Sequence, residues 1–204
     1  MRHYLVKLSA MHDLFQAAPF EDVKDYLLSI CDKITTSKMV YLNAPSDLEG
    51  VLAISHLEAA CVDLGIPYSR RLLKSRQHIP HGEVQEIESK LDGVVIFIKP
   101  FEETWDCNDI KPETSVNLVP LSVSVRMGTN KNKRLGGLDV VSQCSAIAAQ
   151  LAPNGTRVRR LRPFAGSGQW LRESLDTTFD PIHSWIRDHL RDEGSVRVVP
   201  LPEV

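Results

Sequence analysis

The chain reads as an α/β protein with a mostly parallel sheet of about five strands between helices, in one domain spanning residues 1–204. Three observations predict this. Short apolar runs at 39–43 and 94–98 alternate with segments of helical periodicity. The run Val94-Val95-Ile96-Phe97-Ile98 is apolar throughout, as a strand covered on both faces of a parallel sheet must be. The stretch Ser46-Asp47-Leu48-Glu49-Gly50 joins a strand end directly to a helix start, which is the connection of a βαβ unit.

The elements follow in order. Residues 9–35 read as helix broken near Pro19, with Phe20, Val23, Tyr26, Leu27, Ile30 and Ile34 on one stripe. Residues 39–43 form a strand. Ser46 and Asp47 are N-cap residue types for a helix over 48–64, which Gly65 ends and Pro67 keeps from resuming. Residues 68–74 read as strand, 83–91 as helix, 94–98 as strand and 99–115 as polar loop. Residues 116–125 read as a strand that Pro120 places at an edge or bulge. Residues 126–137, rich in Gly and Lys, read as loop. A helix over 139–151 carries Val140, Val141, Cys144, Ile147, Ala148 and Leu151 on one face. Residues 156–161 alternate as a strand with outward arginines, 169–192 as a helix interrupted by Pro181, and 196–201 as a last strand.

With 43% hydrophobic and 25% charged residues, the composition is that of an ordinary globular domain. No run of eighteen apolar residues is present, which argues against a membrane span. The first residues are too short and too charged for a secretory signal. Cys31, Cys61, Cys107 and Cys144 are widely spaced, so free thiols in a reducing cytoplasm are expected and a zinc site is not.

Net charge is −2, but unevenly placed. From Arg126 to Arg172 there are nine Lys and Arg against one acid, Asp139. An anionic partner is expected for this part. Arg126, Lys131, Lys133, Arg134, Arg157, Arg159, Arg160 and Arg162 are its candidate contacts, gripping a phosphate backbone without sequence readout. Ion pairing with acidic helices is the structural alternative. Trp185, Ile186 and Leu190, with Ile182, form an apolar stripe that either packs inward or docks a partner protein. His78 and His81 flank a proline in a loop, a poor metal pair. Gly166-Ser167-Gly168 reads first as a hinge and second as an anion cradle.

The strand, the Asp47-Leu48-Glu49-Gly50 turn, the Leu64-Gly65-Ile66-Pro67-Tyr68 segment and the strand at 94–98 resemble the first half of the DHH phosphoesterase superfamily, the RecJ-like group. The resemblance covers roughly residues 38–152. It implies a two-metal phosphodiesterase site with Mn²⁺ or Mg²⁺ held by several carboxylates and imidazoles. This chain departs from that pattern. Asp47 stands at the first ligand position, but Glu49 replaces the second aspartate and Asn43 stands near the earlier ligand. Lys99 follows the strand where a metal-binding aspartate is expected. Arg126 follows a later strand, and no Asp-His-His occurs. Only about fifty residues follow the helix at 139–151, too few for the second, substrate-gripping domain of active members.

The chain therefore resembles most the inactive archaeal RecJ-like relatives of cell division control protein forty-five. That resemblance implies no cofactor and partnership with GINS-type and MCM-type subunits in DNA replication or repair, with single-stranded DNA as a second ligand. Two alternatives follow from the same residues. One is a divergent phosphoesterase in which Asp47 and Glu49 join Glu102, Glu103, Asp106 and Asp109 around Mn²⁺ or Mg²⁺. The other is a single-domain regulator that binds a nucleotide or other small phosphate at Ser46–Gly50 and Lys99.

Overall fold

The computed structural model describes residues 15, 18–75, 92–110, 115–168 and 180–197. The predicted helix at 83–91, His78, His81, residues 9–14 and 16–17 of the predicted helix 9–35, residues 169–179 of the predicted segment 169–192 and residues 198–201 of the predicted strand 196–201 lie outside the described residues. The fold is α/β. Four parallel strands, β1 (Val40–Pro45), β2 (Tyr68–Leu73), β3 (Val94–Ile98) and β4 (Ser115–Leu118), stand in the order β2-β1-β3-β4. The helices are α1 (Lys24–Thr36), α2 (Leu48–Leu64), α3 (Val140–Leu151), α4 (Thr156–Leu161) and α5 (Pro181–Asp192).

Alternation along the strands sets the core. Val40, Leu42 and Ala44 of β1, Val94, Ile96 and Ile98 of β3, and Val116 and Leu118 of β4 are buried. They meet Leu27, Ile30 and Ile34 of α1 and Ile54 and Leu57 of α2 in one cluster. Tyr26 fastens α1 to the sheet, its hydroxyl donating to the Asn117 carbonyl at 2.7 Å. On β2, by contrast, Ser69, Arg70, Arg71 and Leu72 are all exposed, as an edge strand tolerates when it carries charge.

Three predicted elements differ. The run at 116–125 is two strands: β4 closes the parallel sheet, Pro120 breaks the ladder, and β5 (Leu121–Met127) turns away. The expected loop at 126–137 is mostly strand. β6 (Asn132–Leu138) pairs antiparallel with β5 in a hairpin turned at Gly128, whose φ is 76°. Propensity could not show β6, because Gly136 and Gly137 are poor strand formers. Tertiary packing requires them: a Cβ at Gly136 would stand 2.7 Å from Ile182 of α5. The mostly parallel sheet of about five strands is thus a four-stranded parallel sheet with a separate hairpin. The open side of β5 is closed by Asp22, whose carboxylate accepts from the Ser124 amide at 2.8 Å and its hydroxyl at 2.7 Å.

The third correction is 156–161, which is helix. Six residues are too few to separate period 2 from period 3.6. Val158 and the half-buried Leu161 lie one turn apart against Ala59, Ala60, Ala148 and Ala152, which settles the conformation as α4. Its N-cap, Gly155, has no side chain, and Asp63 of α2 does that work from outside. The Asp63 carboxylate accepts from the Arg157 and Val158 amides at 2.9 and 3.1 Å. A Cβ on residue 155 would stand 2.3 Å from that carboxylate, so the external cap requires glycine.

Gly50 performs a similar role at the β1–α2 turn, where a Cβ would stand 2.3 Å from the Pro45 carbonyl oxygen. Gly50→Ala is expected to lower unfolding free energy by about 2 kcal/mol, measured by urea titration. A shift no larger than that of an exposed helix position would contradict this contact.

Candidate functional site

β1 has β2 on one side and β3 on the other, and the chain passes from β1 through α2 to β2 before returning to β3. This is a topological switch point, where ligands enter the crevice beyond the strand ends in an open parallel sheet. The residues there are Asn43, Ser46, Asp47, Glu49 and Lys99.

Asp47 is the N-cap of α2, with Oδ1 accepting from the Gly50 amide at 2.8 Å. Its Oδ2 is buried without a hydrogen-bond partner. Glu49 is buried in the first turn, where the helix macrodipole favours a carboxylate. Asn43 is buried, with Nδ2 3.4 Å from the Ile96 carbonyl oxygen. Lys99 is exposed at the end of β3, held by its amide donating to the Leu118 carbonyl at 2.8 Å.

A two-metal centre here would have to draw on Asp47 and Glu49. Such a centre needs several anionic donors around each cation. Among the described residues, no three of His, Cys, Asp and Glu stand close enough to hold a metal ion. Glu102, Glu103, Asp106 and Asp109 instead line an open concavity of about 400 Å³ with Phe101, Thr104 and Trp105. Asp106 is engaged locally, capping the turn Cys107–Asp109 through the Asn108 amide at 2.9 Å.

The basic residues divide between two places. Arg126 faces Lys133 across the β5–β6 ladder, Arg134 faces Val125, and Lys131 sits in the turn; all four cations are exposed. The hairpin packs on α5, whereas α4 packs on α2 and α3. On α4, Arg157, Arg159 and Arg160 are exposed. Arg157 also meets Asp63 at 3.2 Å, and Arg159 donates to Asn154 at 3.1 Å.

Arg162 is not a surface contact. Its side chain is 12% exposed and grips Glu193 at both ends, Nε to Oε1 at 2.9 Å and Nη2 to Oε2 at 3.2 Å. Ser195 donates to the same carboxylate at 2.7 Å. His189 Nε2 lies 3.4 Å away, in ion-pair range but without hydrogen-bond geometry. Burial raises the Glu193 pKa, but His189, Arg162 and Ser195 outweigh it and hold the carboxyl down to about 2. The expected stripe on α5 also turns inward. Ile182, Ile186 and Leu190 are buried in the chain's own core, while Trp185 packs against it and stacks on His189 at 5.0 Å. Pro181, expected as an interruption, is the first residue of α5, with Asp180 as its cap.

Sequence reasoning missed His56, which gave no signal inside the apolar run of α2. It is 1% exposed, and neither ring nitrogen has a hydrogen-bond partner. Burial, with the Arg162 guanidinium adding to it, pushes its pKa down to about 3. The described cysteines are free, and burial, the larger cause, raises Cys31 and Cys61 to about 12 and 11. No protein family, curated protein or solved structure matches the chain.

Two predictions follow from these buried groups. An unfolded chain protonates His56 near pH 6.5 and the fold only near 3. Between those values the unfolded state holds the extra proton, so stability falls as pH falls. Acidification from pH 7 to 5 is expected to cost about 2 kcal/mol through this group. In His56→Leu that slope should flatten, read from chemical denaturation at each pH; an unchanged slope would refute the assignment. Glu193 acts lower, its stabilisation being lost from about pH 4.5 towards 2. Glu193→Ala strands the buried guanidinium and is expected to cost about 3 kcal/mol at neutral pH.

Proposed function

We propose that this chain is a non-catalytic RecJ-like module, a scaffold in a DNA replication or repair assembly. It would act through GINS-type and helicase partners, with single-stranded DNA as a second ligand. One observation carries the non-catalytic part. The aspartate at the first ligand position uses one oxygen to cap α2, beside a neutral Asn43 and a cationic Lys99. A cation at that strand end favours phosphate or carboxylate over a divalent metal. The DNA part rests on the hairpin, where Arg126, Lys131, Lys133 and Arg134 gather at one exposed end. Such a cluster tracks a phosphate backbone by charge. The replication partners rest on the family resemblance.

A second reading, a divergent metal-dependent phosphoesterase, is favoured by the unpartnered Oδ2 of Asp47 and by the acidic concavity at 101–109. The readings separate by metal linkage, since a bound ligand raises melting temperature. Under the first reading, millimolar Mn²⁺ leaves the melting temperature unchanged and short oligonucleotides stay intact. Stabilisation and hydrolysis that both vanish in Asp47→Ala would establish the second.

DNA binding is tested on oligo-dT by fluorescence anisotropy across a salt series. Replacing the four hairpin cations with alanine should weaken binding by at least about tenfold and flatten its salt slope. Equal binding by the variant would remove DNA from the proposal.

A further inference from the structure

We propose that the outer face of α2, together with α4, is a docking surface for an acidic amphipathic helix of a partner protein. This rests on the scaffold reading and names its partner chemistry. An α-helix apolar on all sides is normally enclosed. α2 carries apolar residues around its whole circumference, yet Leu48, Val51 and Val62 are 60%, 36% and 39% exposed. With Ser55 and Glu58 they form a line at 3-4-3-4 spacing, which is the seam that a second helix packs against.

The line runs into a groove of about 320 Å³ between α2 and α4. Ala59, Val62 and Leu161 give it apolar walls, and Arg157 and Arg160 stand at its edge. Charge selects the partner. The face carries Arg70, Arg157 and Arg160 against Glu58 and Asp63. Both acids already meet an arginine, Glu58 to Arg70 at 3.3 Å and Asp63 to Arg157 at 3.2 Å. The surplus is cationic and borders an aliphatic floor, the complement of a helix with an apolar stripe and carboxylates beside it. Nucleic acid fits less well, because none of the described residues lining the groove carries an aromatic ring for base stacking.

The test uses the full chain and three fluorescent probes. One is a designed helix with leucine at heptad a and d positions and glutamate elsewhere; the second has lysine for glutamate; the third is oligo-dT. The glutamate helix is expected to bind and the lysine helix not. Arg160→Glu and Val62→Asp, both at exposed positions, should each weaken the glutamate helix by at least about tenfold. Melting curves confirm that the variants fold.

Four results would overturn the proposal. They are no binding of the glutamate helix, equal binding of the lysine helix, affinity unchanged within about twofold in both variants, or oligo-dT lost in the same variants. Sedimentation showing a dimer that Val62→Asp dissolves would instead assign the face to a second copy of this chain. The outcome is separable from the metal test: Mn²⁺-dependent hydrolysis would remove the scaffold reading without emptying the groove, and a groove that takes no helix would leave the chain non-catalytic.

Discussion

Helix α2 packs so close to the end of β1 that a Cβ at residue 50 would stand 2.3 Å from the Pro45 carbonyl oxygen, and the helical layer is built outward from that contact. It brings the helix start over the strand, lets Asp47 cap it, and aims the apolar flank of α2 at the sheet and at α3. On the next side, Ala59 and Ala60 meet Ala148, Ala152 and Val158, small residues that let helices approach closely. From the last turn of α2, Asp63 reaches out to start α4. The switch point, the helical layer and the basic face thus all adjoin α2.

Charge in this chain has two fates, divided by burial. One enclosed acid and one enclosed base meet each other. Arg162 and Glu193 form a bidentate pair beneath the end of α5, where an unpaired ion would be costly. Asp63 satisfies the amides that Gly155 leaves open and draws Arg157 with it. At the surface, cations gather on the hairpin and α4 and carboxylates on the loop at 102–109, while Lys38 with Asp92 and Arg187 and Arg191 with Asp188 form mixed pairs.

The switch point was legible because its signals are local. Strand, cap and glycine lie within a few residues, and Lys99 follows the adjoining strand directly. The roles of the basic residues were not legible. Arg160 and Arg162 are two positions apart in one arginine-rich segment, yet one is exposed and the other is held by a glutamate thirty-one residues away. The apolar stripe on α5 was visible, but its destination depended on a hairpin whose second strand had no propensity of its own.

What the amino-acid order determined by itself was the alternation of buried strands and amphipathic helices, the caps at Asp47 and Gly65, and the uneven distribution of charge. Each comes from neighbours within one turn or one strand, where backbone geometry and side-chain period act directly. Tertiary structure alone decided that 156–161 is helical, that 132–138 is a strand, and that His56 is enclosed without a partner. It also left Leu48, Val51 and Val62 of α2 exposed. Those outcomes depend on residues distant in sequence meeting across the core, and contact with a distant surface overrides weak local preference.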